Sequence, residues 1–196
     1  MRISEALRLL NAGPILRRYF FINAFDGAIT ALGVLLSAYL VGLRSALEVA
    51  LPVLGVGVSM FAAGFLGTFF TELAERTREI QEMRDALLES MEETYYSQAL
   101  KIVSIVIGIV DGISPLVSST VGLIPLLIGH YLHRSFDFSF FVSLIVVFLE
   151  IFILGIGLGR VSGRNPIAYG LQMLLIGFLT GILILLLAKT FGVTPV

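Results

Sequence analysis

Apolar residues run along this chain in five long blocks, each near the ~20 residues that a helix needs to cross the hydrocarbon of a bilayer. The blocks extend from Tyr19 to Leu43, from Val49 to Leu66 and on to Thr71, from Ile102 to Gly129, from Phe138 to Gly159 and from Asn165 to Ala188. Asp26, Asp111 and Glu150 are the acids that interrupt them. The pattern predicts an all-α integral membrane protein with five transmembrane helices and a cytoplasmic acidic helix between the second and third. Its expected parts are an amphipathic N-terminal segment (1–18), spans one and two (19–71), the acidic helix (72–98), spans three to five (99–189) and a short C-terminal tail (190–196). Within the first part, Ile3 to Leu10 is expected to lie on the membrane surface as a short helix ended by Gly13 and Pro14.

Composition narrows the class further. Hydrophobic residues make up 57% of the chain and charged residues 14%, with a mean hydropathy of +0.98, which excludes an ordinary soluble domain. There is no cysteine, so disulfides, thiolate nucleophiles and cysteine metal sites are excluded. The net charge of -1 gives no reason to expect a nucleic-acid partner and hides a local asymmetry. With five spans, ten of the 13 Lys and Arg residues fall on one side, and only Arg44, Arg134 and Lys189 on the other. Cytoplasmic flanks retain positive charge, so the N-terminus is expected in the cytoplasm and the C-terminus outside, in a prokaryotic plasma membrane.

Most of the acid sits between the second and third spans. Glu72, Glu75, Glu79, Glu82, Glu89 and Glu93 follow a three-then-four spacing that places them along one helical stripe, with Met83 and Met91 at its flank. Such a stripe is either a solvated face, partly neutralised by Arg76, Arg78 and Arg84, or a surface that captures cations. Carboxylate oxygens suit hard divalent ions, and methionine sulfur adds preference for softer ones such as Fe(II).

Ionisable groups inside hydrocarbon are costly and therefore point to function unless they merely pair with a neighbouring helix. At ~1.5 Å of rise per residue, Asp26 lies about a third of the way into its span, and Asp111 and Glu150 lie near mid-depth. A carboxyl removed from water can hold a proton or a cation in turn, which is the physical basis of proton-coupled exchange. Phe25 to Thr30 (FDGAIT) and Val110 to Pro115 (VDGISP) both set Asp-Gly near a hydroxyl residue, as a parallel internal repeat would. Gly27, Gly112 and Pro115 are expected to loosen helix hydrogen bonding there. Pro115, Pro125 and three glycines make the third span the one expected to kink or break. Small residues from Gly55 to Gly67 allow close packing of the second span or a dimer seam. His130 and His133, with Asp137 following, are spaced to share a helix face and could form an exit-side metal site.

The order of these parts resembles the vacuolar iron transporter (CCC1-like) family, as a divergent prokaryotic member. The residues that carry the resemblance are Asp26-Gly27, Thr30 and Gly33 in FDGAITALG, Ser59-Met60 followed by Ala62-Ala63-Gly64, and Gly122 with Ile124 to Leu127. Where the family has Glu-Tyr after Ala-Ala-Gly, this chain has Phe65-Leu66. The resemblance implies a homodimeric, proton-driven exporter or sequestering exchanger for Fe2+ or Mn2+, with no prosthetic group and no enzymatic activity. It places Asp26 and Met60 on the transport pathway, to which the residues themselves add Asp111 and Glu150. It further assigns metal binding to Glu72, Glu75, Glu79, Glu82 and Met83 and to the intramembrane Asp26; Asp111, which the family pattern does not contain, is added as a metal ligand by the residues themselves. Its partners would be divalent ions, protons, membrane lipids and a second copy of the chain. The competing readings are an intramembrane aspartyl protease using Asp26 and Asp111, and a scaffold subunit that transports nothing. Against the protease, Gly108-Ile109-Val110-Asp111 departs from Gly-x-Gly-Asp and Phe25 replaces the usual Tyr.

Overall fold

The structure is a computed structural model that describes residues 2–87 and 93–193, the side chains of Ile80 and of residues 83–97 apart. Among the described residues, helix is the only regular secondary structure. The helices are α1 (Ile3–Leu9), α2 (Gly13–Leu40), α3 (Ala46–Leu87), α4 (Glu93–Val121), α5 (Ile124–Tyr131), α6 (Phe136–Val161) and α7 (Pro166–Thr190). Five of them are long and apolar enough to cross a membrane.

Five of the helices, α1, α2, α5, α6 and α7, stop for the same local reason. Asn11, Gly42, His133, Gly163 and Gly192 all adopt positive φ. In each case the N–H of the next residue bonds back to a carbonyl five residues earlier, as in Leu43 to Ala38 and Arg164 to Gly159, both at 3.0 Å. This is the left-handed stop that glycine favours and that relieves the last orphan carbonyls. At the end of α2 the Arg44 guanidinium adds bonds to the carbonyls of Tyr39 (2.8 Å) and Leu43 (3.0 Å) and lies 4.0 Å from the Tyr39 ring. α7 starts where the Asn165 side chain accepts from the N–H groups of Ile167 and Ala168, with Pro166 in the first turn.

Two boundaries differ from those expected. Gly13 and Pro14 do not end the first helix but begin α2, because proline is tolerated in a first turn where its missing N–H is not needed. Asp26 accordingly sits near the midpoint of its helix rather than a third of the way in. The acidic segment is not a helix of its own: Glu72 to Leu87 prolong α3, and residues 93–98 open α4. Neither Gly nor Pro occurs between Thr68 and Leu87, and Ala, Glu, Arg, Met and Leu favour continued winding. The third span does break, at Gly122 and Leu123, where Pro125 starts α5. Around Gly27, Gly112 and Pro115, by contrast, α2 and α4 remain continuous.

The chain divides into two compact units, Met1–Phe20 with Phe61–Ile113, and Phe21–Met60 with Ser114–Val196. In the first, Ala6, Ala12, Ala99, Val103 and Ile107 form the buried apolar cluster. In the second, the core runs from Ala28, Leu32 and Leu35 through Val49 and Val53 to Leu126, Phe140, Val147 and Ile151. The second unit also contains the α6–α7 pair, in which the buried residues of α7 are Gly170, Gly177 and Gly181. A Cβ added at Gly155 would stand 2.7 Å from Gly170 Cα and 2.8 Å from the Tyr169 carbonyl oxygen, so the two backbones touch. Lipid tails are as apolar as leucine, and this close approach is what makes helix association favourable in a membrane.

Gly155→Leu should therefore force α6 and α7 apart and cost on the order of 1–3 kcal/mol. Gly13→Ala, which meets nothing within 4 Å, should be close to neutral. Thermal unfolding of the two variants in detergent checks the contrast.

Candidate functional site

The first unit holds a row of polar groups on one face of α3. Gly64, Thr68, Glu72 and Arg76 recur every four residues, which places them one above another along the helix. Opposite them, Gly108 and Gly112 let α4 approach to backbone contact: a Cβ at Gly112 would lie 2.6 Å from the Phe61 carbonyl oxygen, and one at Gly108 would lie 2.8 Å from that of Phe65. Between these glycines Asp111 turns its carboxyl onto Gly64, whose absent Cβ would stand 2.9 Å from Oδ2. Thr68 donates its hydroxyl proton to that same Oδ2 at 2.6 Å. Asp111 is 5% exposed, so an ionisable group sits in the packed interior with a hydroxyl for a neighbour.

One turn further along the row, Glu72 is held from two directions. The Tyr19 hydroxyl donates to Oε1 at 3.1 Å, and Arg76 Nε donates to Oε2 at 3.3 Å. Arg76 is itself buried, at 7% exposure. A pair so placed is stable only because each member compensates the other, and removing one would strand the second. The stripe of acids read from spacing is therefore not uniform. Glu75, Glu79 and Glu82 are exposed, Glu82 forming an ion pair with Arg78 at 2.8 Å, whereas Glu72 has both carboxylate oxygens engaged. The α3 backbone reaches Met83, whose side chain lies outside the described residues, as do those of Glu89, Met91, Glu92 and Glu93.

The second unit places a different acid. Glu150 lies near the midpoint of α6, with Oε1 2.7 Å from the Ser118 hydroxyl of α4. Ser118 also stands 2.5 Å from the Ala24 carbonyl oxygen of α2. A hydroxyl has one proton, so Ser118 can donate to the carboxylate or to the carbonyl but not to both. If Glu150 carries a proton, it can donate to Ser118 while Ser118 donates to Ala24, and both contacts become hydrogen bonds. Glu150 Oε2 is buried without a hydrogen-bond partner. Ser118 thus has two acceptors within reach of its one proton. In the same unit a Cβ at Gly27 would collide with Pro115, so the first Asp-Gly serves close packing of α2 on α4. Asp26 itself is exposed, and Met60 is partly buried.

His130 and His133 do not share a helix face. α5 ends at Tyr131, and His133 sits in the left-handed stop with φ 50°. Among the described residues, no three His, Asp or Glu side chains are grouped closely enough to hold a metal ion. Sequence reasoning also missed Thr68 and Ser118 as partners of the acids. For Thr68 a signal was present: it stands midway, at four-residue spacing, between Gly64 and Glu72.

Asp111 is a buried carboxyl group on a membrane-spanning helix and Glu150 a partly buried one, each with a hydroxyl beside it, and ionisable groups so placed are costly unless they serve a function. Comparison with known proteins agrees. The profile of the VIT family matches residues 69–189, and the chain belongs to that family, which includes the vacuolar iron transporters. It is also 27% identical to an uncharacterized protein of Methanocaldococcus jannaschii, across 97% of this chain and all of that protein. No solved structure matches.

Replacing Thr68 by Val should remove the bond to Asp111 at nearly constant volume and lower stability by on the order of 0.5–2 kcal/mol. A double-mutant cycle with Asp111→Leu, followed by thermal unfolding in detergent, should show a coupling of similar size; purely additive effects would refute the bond.

Proposed function

We propose that this chain moves divalent transition-metal ions, Fe2+ or Mn2+, across a membrane in exchange for protons, as efflux or sequestration, and that it works as a homodimer. The observation that carries the reading is the buried Asp111 carboxyl, packed against Gly64 and bonded to Thr68 within a spanning segment. A transported ion must leave as readily as it arrives, so a carboxyl bonded to a hydroxyl suits passage better than a closed cluster of acids. Membership of the VIT family favours transport over proteolysis.

The roles divide by chemistry. Asp111 and Asp26 would supply negative charge to the ion, with Met60 sulfur adding preference for softer metals. Glu150, with Ser118 able to face either of two acceptors, is suited to taking up and releasing the counter-transported proton. The exposed Glu75, Glu79 and Glu82 would raise the cation concentration at the cytoplasmic mouth, with Met83 beside them. Glu72 would contribute as a fixed charge already bound to Tyr19 and Arg76.

A homodimer is supported by the other face of α3. Gly57 and Gly64 pack inward, against Ser119 and Asp111 respectively, whereas Cβ atoms at Gly55 and Gly67 would meet nothing within 4 Å. Ser59 and Ala63, also exposed, complete a four-residue rhythm with them, the spacing through which two helices can approach closely. Asp26 is likewise exposed in the single chain, and a carboxylate on a spanning helix must face water or protein rather than lipid.

Purified full-length protein in sealed vesicles should pass Fe2+ or Mn2+ down an imposed gradient. Asp111→Asn should reduce the initial rate at least tenfold, and Asp26→Asn should also lower it. Rates equal to those of protein-free vesicles would leave the scaffold reading in its place. Glu150→Gln should retain metal-driven flux but lose its response to an imposed pH gradient, measured with a pH-sensitive dye in the same vesicles. Gly67→Leu should shift the detergent-solubilised protein from dimer to monomer, as read by light scattering.

A further inference from the structure

The ends of α2 and α5 and the starts of α3 and α6, all within the second unit, border a half-open cavity of about 300 Å³. Its polar wall consists of Arg44, Arg134 and His130 together with the hydroxyl residues Ser45 and Ser139. Arg44 and Arg134 are two of the three basic residues on that side of the five-span arrangement, so positive charge that is scarce there is gathered at one place. The first residues of α3 and α6, Ala46 and Phe136, also line the cavity. Ser135, which precedes α6, makes no side-chain cap bond to that helix. Two helix starts, each carrying partial positive charge, thus face the same space as two guanidinium groups. At the ends of α2 and α5, of opposite polarity, Arg44 bonds the Tyr39 carbonyl, and the N–H groups of Leu132, His133 and Arg134 bond carbonyls of α5.

The acids nearby stand outside the lining. Asp137 is 60% exposed and lies 3.9 Å from Arg44 Nε, and Glu48 is exposed in the first turn of α3. Arg44 is fixed by its bonds to the α2 carbonyls and by the Tyr39 ring, so its charge is held in place before any ligand arrives. Next in the chain to the lining residues come exposed apolar groups: Leu47, Tyr131 and Phe138. A polar, cationic cavity edged by apolar surface at the end of spanning helices matches the boundary between acyl chains and headgroups.

We infer that this cavity binds a phosphate group, that of an anionic phospholipid headgroup or of free phosphate in solution. Arginine suits such a ligand because its planar fork of donors matches phosphate oxygens, and helix starts supply further N–H groups. The site does not depend on the transport reading and would hold its ligand in a protein that moved no ion.

The test uses full-length protein stripped of lipid in neutral detergent and titrated with phosphatidylglycerol or phosphatidylcholine, binding being read by native mass spectrometry and by thermal shift. Phosphatidylglycerol should bind about tenfold more tightly than phosphatidylcholine, and rising salt should weaken it. Arg134→Gln and His130→Ala should each weaken phosphatidylglycerol severalfold, and Arg134→Glu by at least tenfold. Both positions are exposed, and circular dichroism confirms that the variants are folded. Lys189→Ala, which is not part of the lining, should change nothing. Inorganic phosphate at millimolar concentration then separates the two sources: competition with the lipid shows that the free anion enters, and no competition assigns the site to the headgroup, both in keeping with a phosphate site. Equal binding of the two lipids, or full binding by Arg134→Glu, would overturn the proposal.

Discussion

The contact on which the candidate site depends is the backbone approach of α3 to α4 at Gly64, Gly108 and Gly112. Without side chains at these positions the two helices come near enough for the Asp111 carboxyl to lie against Gly64 and reach the Thr68 hydroxyl. In a bilayer this approach is favourable chiefly through dispersion and interhelical polar bonds, since leaving lipid for protein removes little water from apolar surface. The same contact that holds the helices together therefore also places a carboxyl in the interior. Packing and chemistry cannot be varied independently there, because any side chain at Gly64 would occupy the space the carboxyl uses.

Several other hydroxyls within the spans are satisfied inside their own helix. Ser59, Thr120 and Thr180 return their hydroxyl protons to carbonyls a turn earlier, which costs the helix little and leaves nothing for lipid to solvate. Thr68 and Ser118 depart from that habit by bonding across helices, each to an acid. Hydroxyls bonded across helices thus distinguish the two sites from ordinary polar residues in the same spans.

The spans themselves were legible because their physical requirement, a run of apolar residues about as long as the hydrocarbon is thick, leaves a mark that no tertiary contact alters. So was the break in the third span, since Gly122 and Pro125 act locally. What could not be read were consequences of register between helices. The second-span glycines formed one group in sequence, yet Gly57 and Gly64 face protein while Gly55 and Gly67 face outward. The two Asp-Gly pairs looked alike, yet Asp111 is buried and Asp26 exposed. His130 and His133 had helical spacing, but the helix ended between them, because a left-handed stop can be filled by histidine as well as by glycine.

The 42-residue length of α3 also has a mechanical side. From Thr68 to Leu87 it contains no residue that bends helices, so this stretch moves as a stiff beam rather than as a jointed arm. A load at the acidic tip, such as neutralisation of Glu75 or Glu79, cannot be dissipated along the way. The first place where the beam can yield is Gly67 and Gly64, the latter being the fulcrum against which Asp111 rests.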